Sequence, residues 1–310
     1  MAARVERPSL ARDPPGDARS MAGNRSTRPA TVPRAERRRT VRARRSHADR
    51  PSPLKGPLPF VVSAVVIAIA IGWSVVASRG QPASTPDACA TAAVATAVTS
   101  VPADVLDRVG SGGVADPLKS TDLALLRGPS GRPLVLYVGA DYCPYCASER
   151  WSLIVALSRF GTFKDLSLAR SSSTDVYPDT PTFTFRGASY SSDVIEFSFV
   201  ETADRTGAPL GTPTPVQQAS MSRSDPRGGI PFVSIADRFV AVGSGYSPDV
   251  LAGRSWSEIA AQLTDPASPV ARAILGNANR ITAAICRTTS DQPVPVCAST
   301  SVRGLAGVPR

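Results

Sequence analysis

The run Val135-Leu136-Tyr137-Val138-Gly139-Ala140-Asp141-Tyr142 leads without a break into Cys143-Pro144-Tyr145-Cys146, and the second cysteine opens a stretch with helical periodicity. An apolar, β-prone run that ends on two cysteines three positions apart leaves little freedom. The strand must deliver Cys143 to the mouth of a sheet, and Pro144 fits the first position of a helix, where its missing N–H costs nothing. Cys143 is then the N-cap, with its sulfur facing the unpaired N–H groups and the positive end of the helix, both of which favour thiolate over thiol. Such a setting lowers a cysteine pKa from about 8.5 to roughly 3.5–7.5, and the thiolate is the nucleophile. The pattern predicts a redox-active dithiol, with Cys143 attacking and Cys146, one turn on, resolving the mixed disulfide.

Charge is distributed unevenly along the chain. Residues 1–56 hold 15 Lys and Arg against 5 Asp and Glu, whereas residues 80–310 hold 19 against 20. The basic character therefore belongs to one Arg-, Pro- and Ser-rich segment with too few large apolar residues to build a core, read as a disordered tail. Residues 57–78 follow with no charge, from Pro57 through Val61, Val65, Ile67, Ile69, Ile71 and Trp73 to Ser78. As a helix these 22 positions extend about 33 Å, enough for a hydrocarbon core of about 30 Å. Eight Lys or Arg residues lie close on the N-terminal side and only Arg79 on the other. The positive-inside rule then predicts a cytoplasmic tail, a single-pass anchor in the cell membrane and an extracytoplasmic domain. The partners expected of the tail and of 57–78 are membrane lipids, not nucleic acid.

Outside the cell membrane disulfides persist. Cys286 and Cys297, 11 positions apart, are read as a structural disulfide worth about 3 kcal/mol in the chain-entropy model. Cys89 is left over, whether free, paired between chains or part of an exchange pathway.

Residues 79–100 are Ala-, Thr- and Ser-rich and are read as a stalk, 101–290 as the globular domain, and 291–310 as a tail tied back by the disulfide. Within the domain the pattern predicts a helix up to Gly110, a buried strand from Arg132 to Ala140, and a helix from Pro144 to Phe160. That helix has Leu153, Ile154, Leu157 and Phe160 on its apolar face and Glu149, Arg150 and Arg159 elsewhere. Leu166–Ala169 is expected as the next strand, and 182–185 with 194–200 as an inserted hairpin around Gly187. A helix capped by Thr214, two strands in 230–242 and two helices near 255–264 and 269–287 complete the order.

Strand, dithiol helix, strand, inserted β pair, helix, Ile-Pro strand, strand, helix: this succession resembles the thioredoxin fold, so an α/β domain of that type with C-terminal helices is expected. The resemblance implies that Ile230-Pro231 is a cis peptide beside the dithiol, whose preceding backbone pairs with a substrate segment. Ile230 and Pro231 alone take that role from the resemblance; Pro144 and Tyr145, between the two cysteines, are the other expected substrate-binding positions. At finer grain, Gly139 to Trp151, with Thr180-Pro181-Thr182-Phe183, Gly229-Ile230-Pro231-Phe232 and Ala278-Asn279-Arg280-Ile281-Thr282, is similar to a prokaryotic membrane-anchored family known as domain of unknown function 929. One departure from better-known thioredoxins stands out: six before the first cysteine, where they often carry a buried carboxylate, this chain has Tyr137.

The only histidine is His47, in the tail, which excludes Ser-His-Asp and Cys-His hydrolysis in the domain and leaves a zinc site short of ligands. No metal and no cofactor is expected. Asp141 and Glu149 are either proton-transfer groups or a solvated strand end and a helix-surface charge. Trp151, Phe160, Phe183, Phe185, Phe197 and Phe199 have the spacing of core and sheet packing. The expected function is thiol–disulfide exchange, by an oxidase, isomerase or reductase, on cysteine-containing envelope or secreted proteins, with a membrane or extracytoplasmic partner that recycles the dithiol. The competing expectation is a binding or scaffold domain in which Cys143 and Cys146 form an inert disulfide.

Overall fold

The computed structural model describes residues 88–305; the basic segment 1–56 with His47, the anchor expected at 57–78 and residues 79–87 lie outside them. Among the described residues no single helix is long and apolar enough to cross a membrane.

A strand buried on both faces reads as a continuous apolar run and needs neighbours on both sides. Leu134–Gly139 (β2) is buried at every position and lies inside a five-stranded mixed sheet. On one side it pairs antiparallel with Phe232–Ile235 (β8), from Val135 opposite Ile235 to Val138 opposite Phe232. On the other it runs parallel to Glu196–Glu201 (β7), from Leu134 opposite Glu196 to Gly139 opposite Glu201. β8 turns back into Phe239–Val242 (β9) through Ala236 and Asp237, whose φ values of 51° and 55° suit a tight hairpin between twisted strands. A short strand, Lys119–Ser120 (β1), borders β9 and is not apparent from the sequence pattern.

The period of two along β2 sends Val135 and Tyr137 to one face and Val138 to the other. Val135 and Tyr137 join the main core, which the dithiol helix Pro144–Leu157 (α3) and the long helix Pro269–Thr288 (α6) share. Val138, Phe232 and Val240 pack with Met221 of Pro215–Ser224 (α4), a helix opened by a Thr214–Gln217 capping box. The sheet is thus covered by helices on both sides.

The expected hairpin of 182–185 with 194–200 does not form. Pro181–Thr184 (β5) pairs antiparallel with Ser167–Arg170 (β4), outside the central sheet, while the later run is β7. Thr162–Lys164 (β3) and Ser189–Ser191 (β6) make a further small pair. The inserted pair is therefore β4 with β5, and the strand parallel to β2 is β7. Alternating runs suit any free edge, and contacts remote in sequence decided between them. Trp256, at the start of Trp256–Gln262 (α5), donates its indole N–H to Ala169 O and Thr182 O at 3.0 and 2.8 Å, locking β4 and β5 together. Trp151 donates to Pro181 O at 2.9 Å and stacks edge-on against Phe183.

The described parts of both segments read as flanking pieces, 88–100 and 291–305, pack onto the domain. The stalk contains a helix, Ala88–Thr99 (α1), followed by Ala103–Val109 (α2), and Val94 and Val98 of α1 are buried in the main core. Alanine is the best helix former, and valines four apart supply one packing stripe. At the other end Val294–Cys297 (α7) and Thr300–Arg303 (α8) fold back onto the domain. Cys286 and Cys297 form a disulfide with 5.6 Å between Cα atoms, and the Ser301 N–H donates to Asp107 Oδ1 at 2.8 Å.

Candidate functional site

β2 ends at Gly139, and Ala140-Asp141-Tyr142 carries the chain to Cys143, the N-cap of α3, with Pro144 at its first position. In this extended conformation (φ −76°, ψ 121°) the Cys143 sulfur accepts the Cys146 N–H at 3.3 Å. The side chain thus caps the helix, as Ser or Asp would. Cys143 keeps 6 % of its surface, Cys146 none, and Tyr145 between them keeps 40 %. Pro144 is buried, so of the two intervening residues only Tyr145 offers a surface, with its ring edge-on to Tyr177 at 5.9 Å.

The two thiols are inequivalent. The Cys146 thiol, hydrogen-bonded to Cys143, lowers the Cys143 pKa; burial opposes this, and the Cys146 and Tyr145 N–H groups and the Arg150 charge add to the lowering. Burial pushes Cys146 well up, and the neighbouring Cys143 pushes it further. Of the two free thiols Cys143, the sulfur with access to a partner, is therefore the one that ionises more readily.

The register of β2 with β8 ends at Val138 opposite Phe232, which brings Ile230 and Pro231 to the end of the sheet where Cys143 leaves β2. The peptide between them is cis. Pro231 O accepts from the Gly243 N–H at 2.8 Å, whereas the Ile230 N–H and C=O have no hydrogen-bond partner among the described residues. Beside Tyr142, a cleft of about 380 Å³ is lined by Ser172, Asp175, Val176, Arg205 and Gly207.

Under the dithiol the side chains depart from the reading of α3 as an amphipathic surface helix. Every α3 residue except Tyr145 is buried, because β5 and α6 enclose what the sheet does not. Asp141 and Glu149 are neither a solvated strand end nor a surface charge, being 2 % and 1 % exposed. Glu149 accepts from the Gly245 N–H at 3.1 Å and from Asn277 Nδ2 at 2.9 Å, and burial pushes its pKa up to about 7. Arg150 is fully buried and forks onto Glu201, Nε to Oε1 at 2.8 Å and Nη2 to Oε2 at 2.7 Å. Nη2 also donates to Ala140 O at 2.8 Å and lies 3.6 Å from Asp141, which pairs with Arg186 at 2.9 Å. Periodicity alone did not reveal this cluster. The one available signal was the four-residue spacing of Cys146 and Arg150, which puts both on one helix face.

Among the described residues no group of three or more His, Cys, Asp or Glu could hold a metal ion.

The family described as Domain of unknown function (DUF929) matches residues 119–287, from β1 to the end of α6, and so takes in the dithiol, Ile230 and Pro231. Comparison with curated proteins and with solved structures finds no match.

Proposed function

The chain belongs to the family described as Domain of unknown function (DUF929), and from that premise we propose that its domain is a thioredoxin-like thiol–disulfide oxidoreductase. It works outside the cell membrane on envelope or secreted proteins, anchored by residues 57–78 with 1–56 in the cytoplasm. The single observation that carries the reading is the inequivalent pair at the start of α3: a helix-capping Cys143 with residual access, its pKa lowered, and a sealed Cys146 whose pKa burial raises. An inert disulfide needs no such asymmetry, whereas exchange needs an attackable sulfur and a resolving one. The thioredoxin-like reading draws further support from the parallel β2–β7 pair, the antiparallel β8 and β9 after it, and Ile230 with an unpaired backbone at the dithiol end of the sheet.

With the pair oxidised, a client thiolate attacks Cys143 Sγ, the Cys143–Cys146 bond breaks and Cys146 leaves. A second client thiolate then attacks the client sulfur of the mixed disulfide and Cys143 leaves as thiolate. The client gains a disulfide and the enzyme holds two electrons for a recycling partner. During the mixed-disulfide stage the Ile230 N–H and C=O can pair with the extended client backbone, while Tyr145 and the cleft by Tyr142 contact its side chains.

Cys146→Ser removes the resolving thiol, so it is expected to accumulate mixed disulfides through Cys143 in cells; Cys143→Ser/Cys146→Ser should accumulate none. If Cys146→Ser captures no covalent partner, and mild thiols do not reduce the wild-type pair, the scaffold reading replaces this one.

A further inference from the structure

We propose that the Tyr137 hydroxyl and the Arg150 guanidinium form a pair of buried donors behind the dithiol that stabilises the negative charge of its reduced form, making the couple an oxidant of client thiols. This rests on the oxidoreductase reading and adds to it a direction of electron flow.

Arg150 lies four residues after Cys146 on α3, hence on the same helix face. Its Nε and Nη2 are committed to Glu201 and Ala140, but Nη1 is buried without a hydrogen-bond partner. Tyr137 is equally sealed, and its hydroxyl also has no partner. That hydroxyl lies over Gly139: a Cβ built there would sit 2.1 Å from it, so the phenol runs along β2 toward the dithiol. The Tyr137 ring centroid is 5.8 Å from Arg150 Cζ, and both side chains are within electrostatic range of the Cys146 sulfur.

A buried donor without a partner costs about 1–3 kcal/mol. Here Cys143 and Cys146 are both free thiols and neither donor is hydrogen-bonded to a sulfur, so the two act on a thiolate through space, by charge and dipole, in a buried, poorly screened setting. The formal charges nearby balance: Arg150 and Arg186 are cationic, Asp141 and Glu201 anionic. With the net charge balanced, the direction of the effect on the sulfurs falls to how the groups are oriented: the unpaired Arg150 Nη1 edge and the Tyr137 hydroxyl. Stabilising the reduced form makes a dithiol couple more oxidising. In one turnover two client thiols become one disulfide, their two electrons break the Cys143–Cys146 bond, one proton stays on Cys146 and the other goes to solvent.

Tyr137→Phe deletes only the hydroxyl and leaves the ring in place. In the full-length protein, equilibrated in glutathione buffers of graded ratio and scored by thiol alkylation, the variant is expected to favour its own disulfide about three- to tenfold more than wild type. Tenfold corresponds to about 30 mV toward a more reducing potential. The Cys143 thiolate absorbance should titrate at higher pH, while resistance to urea stays equal or rises because a buried unpaired hydroxyl has gone. A purely structural Tyr137 moves neither potential nor titration. An equilibrium constant within twofold of wild type, with the wild-type pair cycling normally, overturns this inference and leaves the oxidoreductase reading standing. A wild-type pair that glutathione neither reduces nor oxidises overturns both.

Discussion

Glu149→Gln tests the physics of the dithiol helix without touching its sulfurs. Glu149 is enclosed between α3, α6 and the Gly245 loop, and burial raises its pKa from 4.5 to about 7 despite the Gly245 and Asn277 hydrogen bonds. Between those two pH values the folded protein keeps a proton that the unfolded chain has released. Stability therefore falls as pH rises, because it falls wherever the native state binds more protons. The contribution is intact below about pH 4.5 and is lost as pH climbs through about 7. At about 1.36 kcal/mol per pH unit, a rise from 4.5 to about 7 amounts to about 3 kcal/mol by pH 8. Full burial means that solvent screening does not reduce this. Glutamine has no charge to bury; its carbonyl can accept the same two hydrogen bonds, and its amide has Asn277 Oδ1, a buried acceptor without a partner, at hand. Urea unfolding of the full-length protein, followed through buried Trp151, should show the variant about equal to wild type at pH 5 and about 2–3 kcal/mol more stable at pH 8. If wild-type stability does not fall between pH 5 and 8, or Glu149→Gln loses stability at pH 8, the buried-carboxyl reasoning is wrong.

Two further outcomes follow from burial and covalent constraint. Arg150→Ala leaves Glu201 buried without its cation, so the urea midpoint should drop by the equivalent of about 3–5 kcal/mol, whereas Arg150→Met with Glu201→Met should recover most of that loss. Replacing Cys286 and Cys297 together by serine releases α7 and α8 from α6 and should cost about 3 kcal/mol in the same assay, since a loop of this length restricts the unfolded chain by about that much.

Where a feature depended on neighbours in the chain, it was legible. Cys143 at an N-cap with Pro144 behind it, Thr214 opening its helix and the buried β2 run are encoded within a few residues, because caps, proline and apolar continuity act at that range. Where it depended on partners far along the chain, it was not. The runs at 182–185 and 194–200 carry the same alternation, yet one pairs with β4 and the other lies parallel to β2; nothing within either run records which edge it will find.

Glu149 and Arg150 show the same divide at the site. Their positions on α3 are fixed by helical geometry, but a helix read alone has a solvent side, and only the arrival of β5, α6 and β7 turned that side into interior. The amino-acid order alone determined that two cysteines would meet the start of a helix at the end of a strand. Tertiary structure decided which sulfur keeps access, which carboxylates lose water and which buried donors go unpaired, because burial and charge pairing arise between segments and not within them.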